Sequence, residues 1–167
     1  MGTGAFFGRV GGRLTGIALA AYLACTGAGA AAPTCSEDTV FLRGDWGRAQ
    51  FTVELADDPE ERATGLMNRD SMSMSAGMYF VYDRPHRASF WMRNTLIPLD
   101  MLFIDATGVV RHIHHEAVPL DETPINGGED VLTVLEINGG LARRLGITEG
   151  SEVRHPAHAE WSPSWPC

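Results

Sequence analysis

Short runs of strand-type residues, spaced roughly 8–12 residues apart, constrain this chain more than any other feature. Val40–Leu42 opens the series, and Ala49–Leu55 follows with Phe51, Val53 and Leu55 alternating against Gln50, Thr52 and Glu54. Gly44-Asp45-Trp46-Gly47 is the turn between them. Gly77–Tyr82 and Ala88–Asn94 read as two more strands around Tyr82-Asp83-Arg84-Pro85. Leu99–Asp105 and Val109–His115 form a hairpin about Ala106-Thr107-Gly108. After a loop at 116–130 rich in proline, glycine and acid, Val131–Ile137 is an apolar strand and Ser151–Arg154 a closing one. Only two stretches read as helix. Asp58 caps the first, with Pro59 in its first turn and Glu61 three residues after the cap, and the helix runs to about Met67. The second is Leu141–Leu145, stopped by Gly146. Such a pattern predicts a mainly β fold, a compact sandwich or barrel of about seven to nine mostly antiparallel strands with one or two short helices.

The first residues follow a different logic. Arg9 and Arg13 precede an apolar run, Ile17–Leu23, and the small-residue site Ala28-Gly29-Ala30, the signature of a secretory leader. Tyr22-Leu23-Ala24-Cys25 offers a second reading, a lipid anchor at Cys25. The leader predicts a periplasmic or secreted protein. The expected organisation is a leader at 1–30, an extension at 31–48 carrying Cys35, a β-rich domain at 49–155 and a tail at 156–167 carrying Cys167. With the leader removed, Cys35 and Cys167 are the two remaining cysteines, and in an oxidising compartment they are expected to form a disulfide.

Charge and composition narrow the chemistry. The net charge is −8, and loss of the two leader arginines takes it to −10, which argues against nucleic acid and anionic membrane as partners. All thirteen basic residues are arginine, so lysine Schiff-base chemistry and a P-loop are excluded. No G-x-S-x-G, H-E-x-x-H or glycine-rich phosphate loop is present.

The candidate site is the stretch Phe90–Ile104, in which Arg93-Asn94-Thr95 sits as a polar knot between apolar runs, followed by Pro98 and Asp100. An unpaired buried polar group costs about 1–3 kcal/mol, so the knot is either a satisfied network or the wall of a binding site. On a strand through 88–95, Phe90, Met92 and Asn94 would face one way and Trp91, Arg93 and Thr95 the other. Arg62 and Arg69 are placed to pair with Asp100 and Glu136. The alternative is a pocket with Met67, Trp91 and Met92 as apolar wall and Arg62, Arg69, Arg93, Asn94, Asp100 and Glu136 as polar contacts.

Two further constellations compete. Six of the seven methionines lie between Met67 and Met101, and Met72 and Met74 are soft ligands of the kind that hold copper. His112 and His114 share a strand face and could join a metal site. Asp100 and Glu136 together could form the carboxylate pair of a hydrolase of envelope carbohydrate.

Several motifs occur together: Glu61-Arg62-Ala63-Thr64-Gly65-Leu66-Met67-Asn68-Arg69, Gly77-Met78-Tyr79-Phe80, Phe90-Trp91-Met92-Arg93-Asn94-Thr95 with Pro98-Leu99-Asp100, and Leu135-Glu136-Ile137-Asn138-Gly139-Gly140. In this order they resemble the bacterial family known as domain of unknown function 192, from about Phe51 to Val153. Arg93 stands where lysine is also common. The resemblance implies a compact, often exported β-rich domain and brings no established activity. The reading as a whole is an exported binding or structural domain, non-catalytic and without a cofactor, acting on an unknown small molecule or envelope protein. Copper handling and carbohydrate hydrolysis are its rivals.

Overall fold

The computed structural model describes residues 34–167, together with residues 1–5 and 8. The leader's apolar run, its cleavage site and Cys25 lie outside the described residues. The chain divides into two units, 1–32 and 33–167, and the fold is that of the second.

Seven strands form one mixed sheet. They are β1 (Thr39–Gly44), β2 (Gly47–Ala56), β3 (Ala76–Phe90), β4 (Leu99–Asp105), β5 (Val110–Ala117), β6 (Ile125–Asn138) and β7 (Glu152–Arg154), in the order β5-β4-β6-β3-β2-β1-β7. Every pairing is antiparallel except β2 with β3, which are joined through helix α1 (Pro59–Thr64). The sheet curls until its ends touch: Val109 bridges Glu152, Val153 N donates to Gly108 O at 2.7 Å, and Gly150 N donates to Val110 O at 2.8 Å. The mainly β class is therefore present as a curled half-barrel. Helix α2 (Leu141–Leu145) forms where the sequence places it, stopped by Gly146 at φ 79°.

The apolar residues divide by strand parity into two cores. Leu102, Ile104, Leu135 and Ile137 face one, which also receives Leu141 and Ala142 of α2. Met101, Phe103, Val134, Met78 and Phe80 face the other, covered by Leu66, Met92 and Ile97 from the segments after α1 and β3. Both sheet faces are thus buried near their centre. The second of them carries the candidate site.

Four local expectations are corrected. Residues 77–82 and 88–90 belong to one strand, because β3 absorbs the Asp83-Arg84-Pro85 segment as a bulge rather than a turn. Its register passes from Val81 opposite Thr133 to His86 opposite Val131, so five residues advance against two. Pro85, which has no amide hydrogen to give, falls inside that gap. The strand ends at Phe90, and residues 91–98 form turns instead of continuing it. β6 starts at Ile125, inside the expected loop, which shrinks to 118–124. Finally α1 stops at Thr64 rather than near Met67, because Gly65 takes φ 49° and its N–H closes the last turn on Glu61 O. The start of α1 is as expected: Asp58 accepts from Glu60 N and Glu61 N, both at 2.8 Å.

Candidate functional site

The knot is a turn. Thr95 N donates to Met92 O at 3.0 Å, and Asn94 adopts φ 53°, a left-handed conformation that asparagine tolerates better than most residues. Met92 N donates to Asp121 O, and Leu120 N to Thr95 O, which ties the turn to the 118–124 loop. Asn68 N donates to Asn94 O at 2.8 Å, joining it to the exit of α1. The strand alternation expected across 91–95 is therefore absent. Met92 and Thr95 are buried beneath the turn while Trp91, Arg93 and Asn94 stay exposed.

Between this turn and α1 lies a cleft of roughly 100 Å³. The end of α1 and its exit, Arg62 to Met67, form one wall. Phe80 and Tyr82 of β3, then Ser89, Phe90 and Trp91 at its end, form the other; Thr95 closes the rim and Glu136 of β6 the floor. Trp91 is 46% exposed, with the Arg93 guanidinium 5.4 Å from its ring centroid.

Glu136 is the feature that distinguishes this cleft. It is 4% exposed and sits on β6 between Met78 of β3 and Met101 of β4, so both cross-strand neighbours are apolar. Its carboxyl has no hydrogen-bond partner among the described residues, and burial pushes its pKa up to about 8. Tyr82 is also pushed up, first by burial, while the Arg62 charge pulls it down and the Glu136 charge pushes it up. Arg62 does not neutralise the acid. Its Nη1 donates to Val81 O at 2.8 Å and to Asp57 O, and its guanidinium lies 4.9 Å over the Tyr82 ring.

Larger hollows exist, each with an ion pair already formed in its wall. One of about 460 Å³ at the β1–β7 corner contains the Arg43–Glu152 ion pair at 2.5 Å. Another of about 450 Å³ beside α1 contains the ion pair of Arg69 with Glu54.

The sequence-derived candidates consequently separate. Arg62, Met67, Trp91 and Glu136 line the cleft, whereas Arg93 and Asn94 belong to the turn that frames it, with Asn94 Nδ2 3.8 Å from Met67 Sδ. Arg69 turns to Glu54 instead. Asp100 is fully buried and accepts hydrogen bonds from Glu116 N (2.8 Å), Gly140 N (3.0 Å) and Ala142 N (2.8 Å), which pins the end of β5 and the start of α2. The arginine–carboxylate network expected of Arg62 and Arg69 with Asp100 and Glu136 does not form. Phe80, Tyr82 and Ser89 were not among the candidate residues read from sequence, because the cleft exists only once the β3 bulge has turned that segment.

The rival constellations are also dispersed. His112 stacks on Phe103 with centroids 5.8 Å apart and lies 3.2 Å from Glu149, and His114 follows on the same strand, β5. Met72 and Met74 lie on the loop entering β3, and two strands, β4 and β6, separate β3 from β5. Among the described residues no group of three or more His, Cys, Asp or Glu converges to hold a metal. Asp100 pairs with Ile137 and Met101 with Glu136, so the two acids point to opposite faces of the sheet and cannot flank one glycosidic bond. Cys35 and Cys167 form the expected disulfide, with Cα atoms 5.8 Å apart. No described helix is long and apolar enough to cross a membrane.

The family model DUF192, described as Uncharacterized ACR, matches residues 40–155. A solved protein of unknown function from Novosphingobium aromaticivorans DSM 12444 is 48% identical, with a TM-score of 0.68 over 69% of this chain and 82% of that one. A protein from Sinorhizobium meliloti 1021, proposed to be a transcription regulator, is 41% identical, with a TM-score of 0.68 over 73% of this chain and 95% of that one. No curated protein matches the chain.

Proposed function

The chain belongs to the DUF192 family, and on the geometry of the cleft we propose that it is an exported, non-catalytic binding domain that takes a small molecule between α1 and the turn at 91–98. The observation that carries this reading is Glu136, a residue only 4% exposed whose carboxyl has no partner among the described residues, at the floor of a cleft walled by Phe80, Tyr82, Phe90 and Trp91. Burying an ionisable group unpaired costs stability, and a fold keeps such a group where a ligand supplies what the protein withholds. Few polar groups set in an aromatic wall is the usual make-up of a small-molecule site. Export is supported by the composition of the leader and by the Cys35–Cys167 disulfide, which suits a periplasmic or secreted protein. The regulatory role proposed for the S. meliloti relative is not carried over, because a net charge of −8 repels DNA phosphates.

The test is a small-fragment screen of the exported form by two-dimensional NMR, with the Trp91 indole signal as the reporter. Hits should shift Trp91 and the amides of 62–67. Trp91→Ala should weaken them at least about 10-fold while changing stability by no more than about 0.5 kcal/mol, since the side chain is half-exposed. Hits that map away from the cleft, or that Trp91→Ala leaves unchanged, would overturn the reading.

A further inference from the structure

We infer that the cleft selects ligands bearing a small ammonium group, which docks on Glu136 with its alkyl or methyl substituents against Trp91, Phe90 and Tyr82. This rests on the cleft being a binding site and specifies what it binds.

Glu136 lies on an otherwise apolar row, Met78–Glu136–Met101, and no described side chain or backbone group donates a hydrogen bond to it. The groups around it supply no compensating cation. From α1 comes Arg62, already held by the carbonyls of Asp57 and Val81; from β3 comes the Tyr82 hydroxyl; β4 contributes Met101; and the turn contributes Thr95. Once the carboxyl is ionised, an anion would meet it without a free guanidinium to offset the repulsion. A neutral polyol would leave a charged carboxylate unpaired or bond only to its acid form. An ammonium ion gives the carboxylate a charge-assisted partner, and its apolar substituents meet the aromatic wall, whose Tyr82 and Trp91 rings already carry the Arg62 and Arg93 guanidiniums. A cleft of roughly 100 Å³ has room for the cationic head of a larger molecule, not for the whole of one.

Below about pH 8 the free site holds Glu136 as the neutral acid. Docking R–NH₃⁺ then expels the carboxyl proton to solvent and leaves an ion pair, so one proton is released per ligand bound and affinity rises with pH until the acid is ionised.

The experiment titrates the exported form with methylammonium, ethylene glycol and acetate, following the Trp91 indole by NMR, at about pH 6 and about pH 8.5. Methylammonium should shift Trp91 at both values, with affinity about 10-fold or more higher at the upper one, as expected for displacement of one proton. Calorimetry of the unsubstituted protein in two buffers of different ionisation enthalpy should show close to one proton released at the lower pH. Glu136→Gln should lose at least about 10-fold in methylammonium affinity with an unchanged amide spectrum outside the cleft. If ethylene glycol or acetate shifts Trp91 as well as methylammonium does, or no proton is released, the cation assignment fails and the cleft stands as a site for another chemistry. If none of the three shifts Trp91 and fragment hits also avoid the cleft, both readings fail together.

Discussion

Two acids one residue out of register on neighbouring strands, Asp100 and Glu136, show how little a residue type says about its role until its face is known. Both are buried. Asp100 accepts three backbone N–H groups and so acts as an internal cap that binds the end of β5 to the start of α2. Each of those amides left without an acceptor costs about 1–3 kcal/mol, so Asp100→Ala should destabilise the domain by about 3 kcal/mol or more, read as the shift in denaturant midpoint. A loss under 1 kcal/mol would show that these amides find other partners. Glu136 has no such partner, and burial raises its pKa from 4.5 to about 8. Its folded pKa exceeds its unfolded one, so its contribution is fully present below pH 4.5 and is lost as pH rises through about 8. Glu136→Gln removes that loss. At about pH 9 the variant should be more stable than the parent by roughly 2–4 kcal/mol, and near pH 4.5 the two should be similar, measured by chemical denaturation at both values. The sequence marked Asp100 as odd among apolar neighbours and offered both acids as partners for arginine. It could not separate them, because satisfaction depends on three amides that come from residues 116, 140 and 142.

At the scale of elements, the readable parts were those governed by local rules. The α1 cap at Asp58, the α2 stop at Gly146 and the β1–β2 turn need only neighbours within a few residues, and all three form as expected. The bulged β3 and the early start of β6 depend on pairing across the sheet, where Val81 to His86 of β3 spans only Thr133 to Val131 of β6, and no local pattern encodes that slip. The turn at 92–95 was hidden for a similar reason. Phe90-Trp91-Met92 has strand-type composition, and only the left-handed Asn94, with its carbonyl held by Asn68 N, breaks the strand. That conformation gives a direct test. Asn94→Gly should leave stability within about 0.5 kcal/mol, while Asn94→Val, whose branched side chain resists positive φ, should cost about 1–2 kcal/mol in equilibrium denaturation. Equal effects from the two substitutions would mean that the asparagine side chain, rather than its backbone angle, holds the turn.

At the scale of the whole molecule, the half-barrel is closed by its own last residues. The 3-10 turn Pro156–Trp161 follows β7, and the disulfide Cys35–Cys167 ties the final residue to the segment preceding β1. Within that turn His158 is fully buried: its Nδ1 faces Ala106 O at 3.1 Å, and its Nε2 lies 2.8 Å from the Tyr79 hydroxyl and 3.3 Å from Thr133 Oγ1. With Nδ1–H donating to the Ala106 carbonyl, Nε2 is left to accept from Tyr79, an arrangement available only to the neutral ring. Burial first, and then His155, lower its pKa from 6.5 to about 4 against the opposing pull of Ala106 O and Asp105. The contribution of His158 is therefore fully present above pH 6.5 and is lost as pH falls towards 4, and His114 and His155, both lowered chiefly by burial, act in the same direction. Glu136 acts in the opposite direction over the overlapping interval from 4.5 to about 8. Between pH 4.5 and 6.5 the slopes of Glu136 and His158 oppose each other while His114 and His155 add to that of His158, so the parent protein should gain stability gently and reach its highest value near pH 6.5. Above 6.5 only the Glu136 loss remains and stability should fall; below 4.5 the His158 loss is joined by Glu54, held ionised by Arg69, and by Asp105, held ionised against its burial first by the Val109 N–H and then by Thr107 and Arg111. Glu136→Gln should shift the region of maximum stability to above pH 6.5, because only the histidine slopes survive. Thermal or denaturant melts of both proteins across pH 4 to 9 decide this, and a parent protein that goes on gaining stability from 6.5 to 8 would show that Glu136 has a partner the free fold does not reveal.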